Sequence, residues 1–311
     1  MRILKGLRHE LATYTRKFRK CIRDRRSRQH MRTYLRGQLG PLSAKSVEPI
    51  ALDAGVPPRT LQQFLSRRKW DEQKLRRRHQ RVLEGDHGGE NAIAVVDETT
   101  FAKKGDKTVG VKRQYCGTLG KVDNCVASVH LGYVREGFHA LLDGDVYLPE
   151  DWIEDRSRRV EAGVPEEAGF RTKPQIALDL LRRSMEAGVQ LRWLTADEGY
   201  GRSAEFRDGV DRLGLWYVVE VPCSMTGWAK RPQTDASGLP LLGERPSREV
   251  SHLWKRGGPS WEQYRIKDTE KGPIVWAVRQ TVFYPNDNGR PGTPLRLVVA
   301  VNMQTGELKY F

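Results

Sequence analysis

AIAVVDET at residues 92–99 and LRWLTADEGYG at residues 191–201 are the two stretches that decide the fold of this 311-residue chain. Each is an apolar run that leads into a pair of carboxylates, Asp97-Glu98 in the first and Asp197-Glu198 in the second. Short continuous apolar runs are typical of buried strands. They predict two central strands that end in acidic side chains at one edge of a sheet.

The segments around these two strands alternate between strand and helix patterns. CVASVHLGYV (125–134), GFHALLDGDVYL (137–148) and LWYVVEV (215–221) are predicted strands. Residues 173–188 predict an amphipathic helix, and Ser203 is a candidate cap for another helix that runs to about Leu213. The buried side of the first helix would consist of Ile176, Leu178, Leu180, Leu181 and Met185. This succession predicts an α/β core with a mixed sheet and flanking helices over residues 92–221.

Beyond residue 221 the composition changes. Residues 222–273 are rich in Pro, Gly, Ser, Arg and Trp, which predicts a β-rich insertion of short strands and loops. VWAVRQTVFY (275–284) and LRLVVAVN (295–302) regain strand character. We therefore expect residues 274–311 to return to the α/β core.

The net positive charge of the chain comes entirely from its first quarter. Residues 1–85 contain 23 Lys and Arg but only 7 Asp and Glu, a net charge of +16, whereas the other 226 residues have a net charge of −1. A segment that repels itself so strongly usually binds a polyanion. The alternative is a solubilising or disordered basic tail. We favour nucleic acid, because the segment also contains a folding pattern.

That pattern is helical. Apolar residues at three- and four-residue spacing predict one amphipathic helix over residues 2–37, which Gly40-Pro41 ends. Ser46 is a candidate cap for a short helix through Ala54, Gly55 supplies a turn, and Pro57-Pro58 opens a helix to about Ser66. The apolar residues of the long helix are Leu4, Leu7, Leu11, Tyr14, Phe18 and Ile22.

Residues 46–66 fit a helix-turn-helix, with an ordinary helical hairpin as the alternative. Its second helix would present side chains suited to base edges, and the residues that follow it are suited to phosphates. The predicted DNA-contacting residues are Arg59, Thr60, Gln62, Gln63, Arg67, Arg68 and Lys69. Residues 1–85 are therefore predicted to form an all-helical DNA-binding domain, separated from the core by the glycine-rich residues 85–91.

Several classes of protein are disfavoured by composition. No apolar run approaches the roughly 20 residues of a membrane span, and the basic N-terminus does not resemble a secretory signal. The four cysteines form no CxxC pair, which disfavours a structural zinc site or a disulfide framework and favours a reducing cytoplasm.

The carboxylates suggest a chemistry. Two divalent ions held by such side chains suit phosphodiester hydrolysis or transesterification, and Mg²⁺ prefers oxygen ligands. Asp is also common at turns and helix caps, and the spacing alone does not decide between these roles.

The order of several motifs strongly resembles bacterial insertion-sequence transposases of the DDE superfamily, whose catalytic core is RNase H-like. The similarity is dense over residues 92–222 and weaker across the basic N-terminal region. The motifs are IAVVDET, KKGDKTVGVKRQYCGTLGKVDNC, VYLPEDWIEDRSRR, GVPEE, FRTKPQIALDLL and LTADEGYG. The resemblance implies that Asp97 and Asp197 are the first two catalytic acids and bind Mg²⁺ or Mn²⁺, as two ions. Glu98 stands where relatives often carry Asp, and it is a further candidate metal ligand.

The resemblance also implies partners. It implies binding of double-stranded DNA (terminal inverted repeats and target DNA), a homodimer in the synaptic complex, no membrane association, and a cytoplasmic, nucleoid-associated location. Lys103, Lys104, Lys112 and Arg113 are candidate contacts to DNA near the scissile phosphate, or else a solvated hairpin face. Trp228, Trp254 and Trp261 either stack on an extruded base or pack in the core.

One feature of the family is absent from the chain. The third catalytic acid is expected on a helix beyond the last strands, and Glu307 lies too close to the preceding strand to be that residue. The resemblance therefore leaves two functions open: a transposase whose third acid is encoded elsewhere, or a catalytically incomplete DNA-binding fragment that represses transposition.

Overall fold

The computed structural model describes residues 2–68, 70–253, 260–270 and 272–311. By its internal contacts the chain divides into two compact units. The first comprises Met1–Gly89 with Ser184–Gln190, and the second comprises Glu90–Arg183 with Leu191–Phe311.

The first unit is helical. Its helices are α1 (Arg2–Arg16), α2 (Arg25–Leu39), α3 (Val47–Asp53), α4 (Pro58–Ser66) and α5 (Glu72–His87). The prediction of a single helix over residues 2–37 is wrong. Asp24 caps α2 by accepting a hydrogen bond from the Ser27 amide at 2.7 Å, and the preceding residues turn. The apolar spacing continues across the break because Cys21 and Ile22 are buried against Met31 and Phe64.

Helices α3 and α4 are joined by a tight turn at Gly55. This glycine has a φ of +64°, in the left-handed region that other residues adopt only with strain. Ile50, Ala51 and Leu61 form a buried cluster between the two helices. Ser46 precedes α3, but its side chain makes no capping hydrogen bond, in contrast to the expectation.

The second unit contains a six-stranded mixed sheet. Its strands are β1 (Ile93–Ala102), β2 (Lys112–Cys116), β3 (Lys121–Arg135), β4 (Phe138–Val146), β5 (Trp193–Ala196) and β6 (Trp216–Val219). Strand β3 pairs antiparallel with β1, β2 and β4. Strand β5 lies parallel between β1 and β6. The mixed α/β architecture predicted from the sequence is observed, and it is compatible with an RNase H-like domain.

Six helices accompany the sheets: α6 (Glu150–Glu154), α7 (Arg156–Ala162), α8 (Lys173–Glu186), α9 (Glu198–Gly201), α10 (Ala204–Arg212) and α11 (Val250–Leu253). Ser203 caps α10 by accepting a hydrogen bond from the Phe206 amide at 3.2 Å. Within the described parts of the chain, no helix has both the length and the apolar character needed to cross a membrane.

The two faces of this sheet differ in burial. Side chains alternate between the faces along each strand. Ala94 and Val96 of β1 and Leu131 of β3 are buried on one face. On the other face, Leu141 and Trp216 are 59% and 55% exposed. Asp97 follows the alternation onto this second, more exposed face.

A seven-stranded sheet follows in the chain. Its strands are β7 (Thr226–Trp228), β8 (Arg248–Glu249), β9 (Glu262–Thr269), β10 (Gly272–Asp287), β11 (Arg290–Pro291), β12 (Leu295–Asn302) and β13 (Leu308–Tyr310). Residues 274–311, which are predicted to return to the α/β core, form β10 to β13 in one sheet with β7 and β8. The Tyr310 carbonyl accepts a hydrogen bond from the Val221 amide at 2.8 Å, just beyond β6. The hairpin of β10 and β12 buries Phe283 and Leu297 against Val221 and Val250.

Candidate active site

Asp97 lies within β1, and Asp197 directly follows the adjacent parallel strand β5. The last residues paired between the two strands are Val96 and Ala196, and each aspartate comes next in the sequence. Strand β1 continues to Ala102, in contrast to the expectation that it ends in its carboxylates. Neighbouring strands are about 4.8 Å apart. The register therefore places Asp97 and Asp197 side by side on neighbouring chains of the sheet.

Each aspartate is oriented by a backbone amide. Asp97 Oδ1 accepts a hydrogen bond from the Glu98 amide at 2.7 Å, and Asp197 Oδ1 accepts one from Gly199 at 3.0 Å. Asp197 is thus also the cap of α9, so the roles of helix cap and metal ligand are compatible at this residue. Both side chains are exposed, and within the described parts of the chain the second oxygen of each has no hydrogen-bond partner. Two such oxygens are suitable ligands for a hard divalent cation.

The turn after β5 depends on a close backbone approach. A Cβ at Gly201 would lie 2.1 Å from the carbonyl oxygen of Glu220, which is shorter than any tolerable contact. Gly201 therefore lets α9 fold directly against the end of β6. Because Asp197 caps α9, this approach fixes where the Asp197 carboxylate lies.

The role of Glu98 as a metal ligand stays a prediction. Strand alternation directs its side chain to the face opposite Asp97. There it forms an ion pair with Lys173 at the start of α8. Its surroundings explain the pairing, because a partly buried carboxylate without a partner is unfavourable.

Tyr200 lies between the acidic groups and the core. Its ring is almost fully buried and contacts Phe206, with ring centroids 5.4 Å apart. Burial, followed by the nearby charges of Glu98, Asp197 and Asp97, raises the pKa of this phenol. Tyr200 therefore stays protonated, and its buried hydroxyl has no hydrogen-bond partner among the described residues.

His130 is a neighbour of Asp97 that the sequence did not identify. The two residues are opposite each other in the antiparallel pair of β1 and β3, so their side chains share a face. His130 Nε2 lies 2.8 Å from Ser128 Oγ. Burial lowers the pKa of His130, and the charge of Asp97 acts in the opposite direction. Only the register between strands could have revealed this pair.

The cations predicted to contact DNA near the scissile phosphate lie away from Asp97 along the sheet. Lys112 is opposite Cys125 in β3, five residues from the partner of Asp97, which corresponds to about 17 Å along a strand. Lys112 forms an ion pair with Asp151 at 3.0 Å. Arg113, Lys103 and Lys104 are exposed at this same far end of β1 and β2.

The tryptophans of the insertion have different environments. Trp228 is buried, and its Nε1 donates a hydrogen bond to the Arg245 carbonyl at 2.9 Å, which favours core packing. Trp261 is 36% exposed. Trp254 lies outside the described residues.

In the helical unit, α4 presents the predicted polar face to solvent. Arg59, Gln62 and Gln63 are exposed, whereas Leu61 and Phe64 are buried on the opposite side. Thr60 is half-buried, and Arg67 and Arg68 are exposed after the helix. Lys69 lies outside the described residues.

Within the described residues, no group of three or more His, Cys, Asp or Glu side chains is arranged to hold a metal ion. The candidate site therefore provides two carboxylates, and further ligands have to come from water, substrate or another acid.

Comparison with known proteins identifies sequences to which this chain is similar. A family profile described as DDE superfamily endonuclease matches residues 17–273. The chain is also 34% identical over 187 residues to a protein of Microchaete diplosiphon described as a probable transposase for insertion sequence element IS701. That match covers 60% of the chain and 46% of the relative, so the chain aligns with less than half of the relative's length.

Proposed function

Because the chain belongs to the DDE superfamily endonucleases, we propose that it is the transposase of a bacterial insertion sequence, or a large part of one. It binds the terminal inverted repeats of its element and takes part in metal-dependent cleavage and strand transfer. The observation that carries this proposal is the register of β1 and β5, which sets Asp97 beside Asp197.

The proposed reaction depends on the two aspartates as metal ligands. DDE superfamily endonucleases use divalent ions, and Mg²⁺ or Mn²⁺ suits the oxygen donors at this edge. When bound, such ions activate the attacking hydroxyl or water and stabilise the leaving oxygen. The chain contributes orientation: amides hold one oxygen of each carboxylate and leave the other for the ion.

The remaining parts of the proposal concern DNA and assembly. The exposed side chains of α4, Arg59, Gln62 and Gln63, suit base edges in a major groove. Two copies of the chain pair the two ends of the element in a synaptic complex. A third acid, which the family resemblance implies, completes each site together with Asp97 and Asp197.

The test uses Asp197→Asn and a matched control, Asp208→Asn, which removes an exposed acid from α10. Mn²⁺ binding is measured by titration calorimetry, and cleavage is measured with labelled element ends in the presence of Mn²⁺. Asp197→Asn should lose both, because removing one of two ligands leaves too few charges to hold the ion, whereas the control should lose neither. Retention of metal binding and cleavage in Asp197→Asn would exclude this site.

A second candidate function rests on the absence of a third acid from the described cluster. The chain would then bind element ends and repress transposition by a complete enzyme. Incubation of the unaltered chain with element ends, target DNA and Mn²⁺ separates the two functions. Cleavage that disappears in Asp197→Asn excludes pure repression, and specific binding without cleavage favours it.

A further inference from the structure

The helical unit contains a second basic surface, formed by residues outside α4. The end of α1, the turn at residues 17–21 and helix α5 enclose a cleft of about 720 Å³. Among the described residues, Asp71 is the only acidic one that lines it. The cations that line it are Arg16, Lys17, Arg19, Lys20, Lys74, Arg77, Arg78 and Arg81. We call this surface the α5 cleft.

The cations come together through both helix periodicity and a tertiary contact. Lys74, Arg77, Arg78 and Arg81 stand at positions i, i+3, i+4 and i+7 of α5, so they share one face. The turn is held against this face because Arg78 Nε donates a hydrogen bond to the Lys17 carbonyl at 2.8 Å.

Most of this charge is not neutralised within the protein. Lys17 pairs with Asp86, and Asp71 is engaged as the cap of α5, where it accepts from the Lys74 amide at 2.8 Å. Arg19, Lys20, Arg77 and Arg81 have no acidic partner within the described parts of the chain. Like charges this close repel one another, so their convergence indicates an anionic ligand rather than a stabilising surface.

The α5 cleft is continuous with the end of α4. A neighbouring depression shares Lys20 and Lys74 with it and extends to Arg68, which directly follows α4. The basic track thus begins beside the helix that presents Gln62 and Gln63. From Lys74 to Arg81 it continues for about 10 Å along α5, at 1.5 Å per residue. A duplex whose major groove receives α4 would place a phosphodiester backbone along this track.

We propose that the α5 cleft binds the phosphodiester backbone of the same DNA duplex that α4 reads, without regard to base sequence. This inference rests on the proposed DNA-binding function and assigns it a second surface. Arginine and lysine side chains contact phosphate oxygens and release condensed counterions, so they contribute affinity and salt dependence but no sequence preference.

The test is made in the full chain with Arg77→Gln combined with Arg81→Gln, because glutamine keeps helix propensity and removes charge. The matched control combines Lys107→Gln with Arg156→Gln, two exposed cations of the other unit. Fluorescence anisotropy measures Kd over a range of salt concentrations. The two probes are a duplex with the terminal sequence of the element and a scrambled duplex of equal length.

The α5 variant should bind both duplexes more weakly by the same factor, about tenfold, and its slope of log K against log salt should be shallower by about two. The control should match the unaltered chain, and far-UV circular dichroism should show equal helix content in all three. An unchanged affinity and slope would overturn the proposal, as would a loss confined to one of the two duplexes. If the unaltered chain binds neither duplex, the proposed function itself fails.

Discussion

At the scale of single residues, two consecutive acids have different environments. Asp97 projects from one face of β1 and has an oxygen without a partner among the described residues, whereas Glu98 projects from the other face and pairs with Lys173. The position of an acid in a strand therefore determines whether it can share an ion with Asp197. Two adjacent carboxylates in a strand project from opposite faces and so have different partners.

We predict that Glu98→Gln retains Mn²⁺ binding and loses stability. The Glu98 and Lys173 side chains are 28% and 31% exposed, so loss of their pairing should lower the free energy of unfolding by about 1 kcal/mol. Urea denaturation measures this change, and calorimetry measures the affinity for Mn²⁺. Lys173→Met is the matched variant, and the double variant should be less destabilised than the sum of both. Loss of Mn²⁺ binding in Glu98→Gln would instead identify Glu98 as a ligand.

At the scale of elements, the turn from β5 into α9 positions the candidate site. Asp197 closes β5 and caps α9, and the helix then contacts the end of β6 through Gly201. The local sequence DEGYG contains both requirements, a cap and a residue without a side chain. The need for both at this turn is explained only by the neighbouring strand β6, whose end α9 contacts.

Gly201→Ala should destabilise the chain, because the new methyl group would overlap the Glu220 carbonyl and the backbone would have to move. The expected decrease in unfolding free energy is about 1–3 kcal/mol, a typical effect of overpacking. Gly85→Ala is the control: α5 has open space there, and alanine should raise stability by about 0.5–1 kcal/mol. Thermal denaturation compares the two. Equal stability of Gly201→Ala and the unaltered chain would argue against this close approach.

At the scale of the whole molecule, charge and carboxylates are distributed between the two units. Residues 1–85 have a net charge of +16, and the remaining 226 have a net charge of −1. The unit that contains Asp97 and Asp197 therefore provides no general attraction to a polyanion. In the proposed function, the helical unit supplies DNA affinity and the second unit supplies the chemistry.

Binding of element ends should accordingly be strongly salt-dependent. If about six phosphates are contacted, the slope of log K against log salt is about −5. Arg68→Gln should weaken binding to all duplexes and make the slope shallower by about one. Gln63→Ala should leave the slope unchanged and reduce preference for the terminal repeat, with a loss of about 1–3 kcal/mol in discrimination. Salt-independent binding, or equal effects of both variants on preference for the terminal repeat, would contradict the assignment of Arg68 to phosphates and of Gln63 to bases.

The sequence by itself determined the elements whose signals are local. The apolar runs before Asp97 and Asp197 predict their strands, and the Ser203 cap and the Gly55 turn are recognisable from neighbouring residues. These predictions succeed because burial of a strand face and satisfaction of helix ends depend on side chains a few positions apart. A local signal also fails in one place: the apolar spacing predicts a single helix over residues 2–37, because it persists through a buried turn.

Only the tertiary structure decided which of these elements meet. The register of β1 with β5 sets Asp97 beside Asp197, and that of β1 with β3 adds His130. Glu98 meets Lys173 across 75 positions of sequence. The second sheet and the α5 cleft likewise join distant segments. No local pattern specifies such contacts, because strand register and helix packing are fixed by the burial of the whole core.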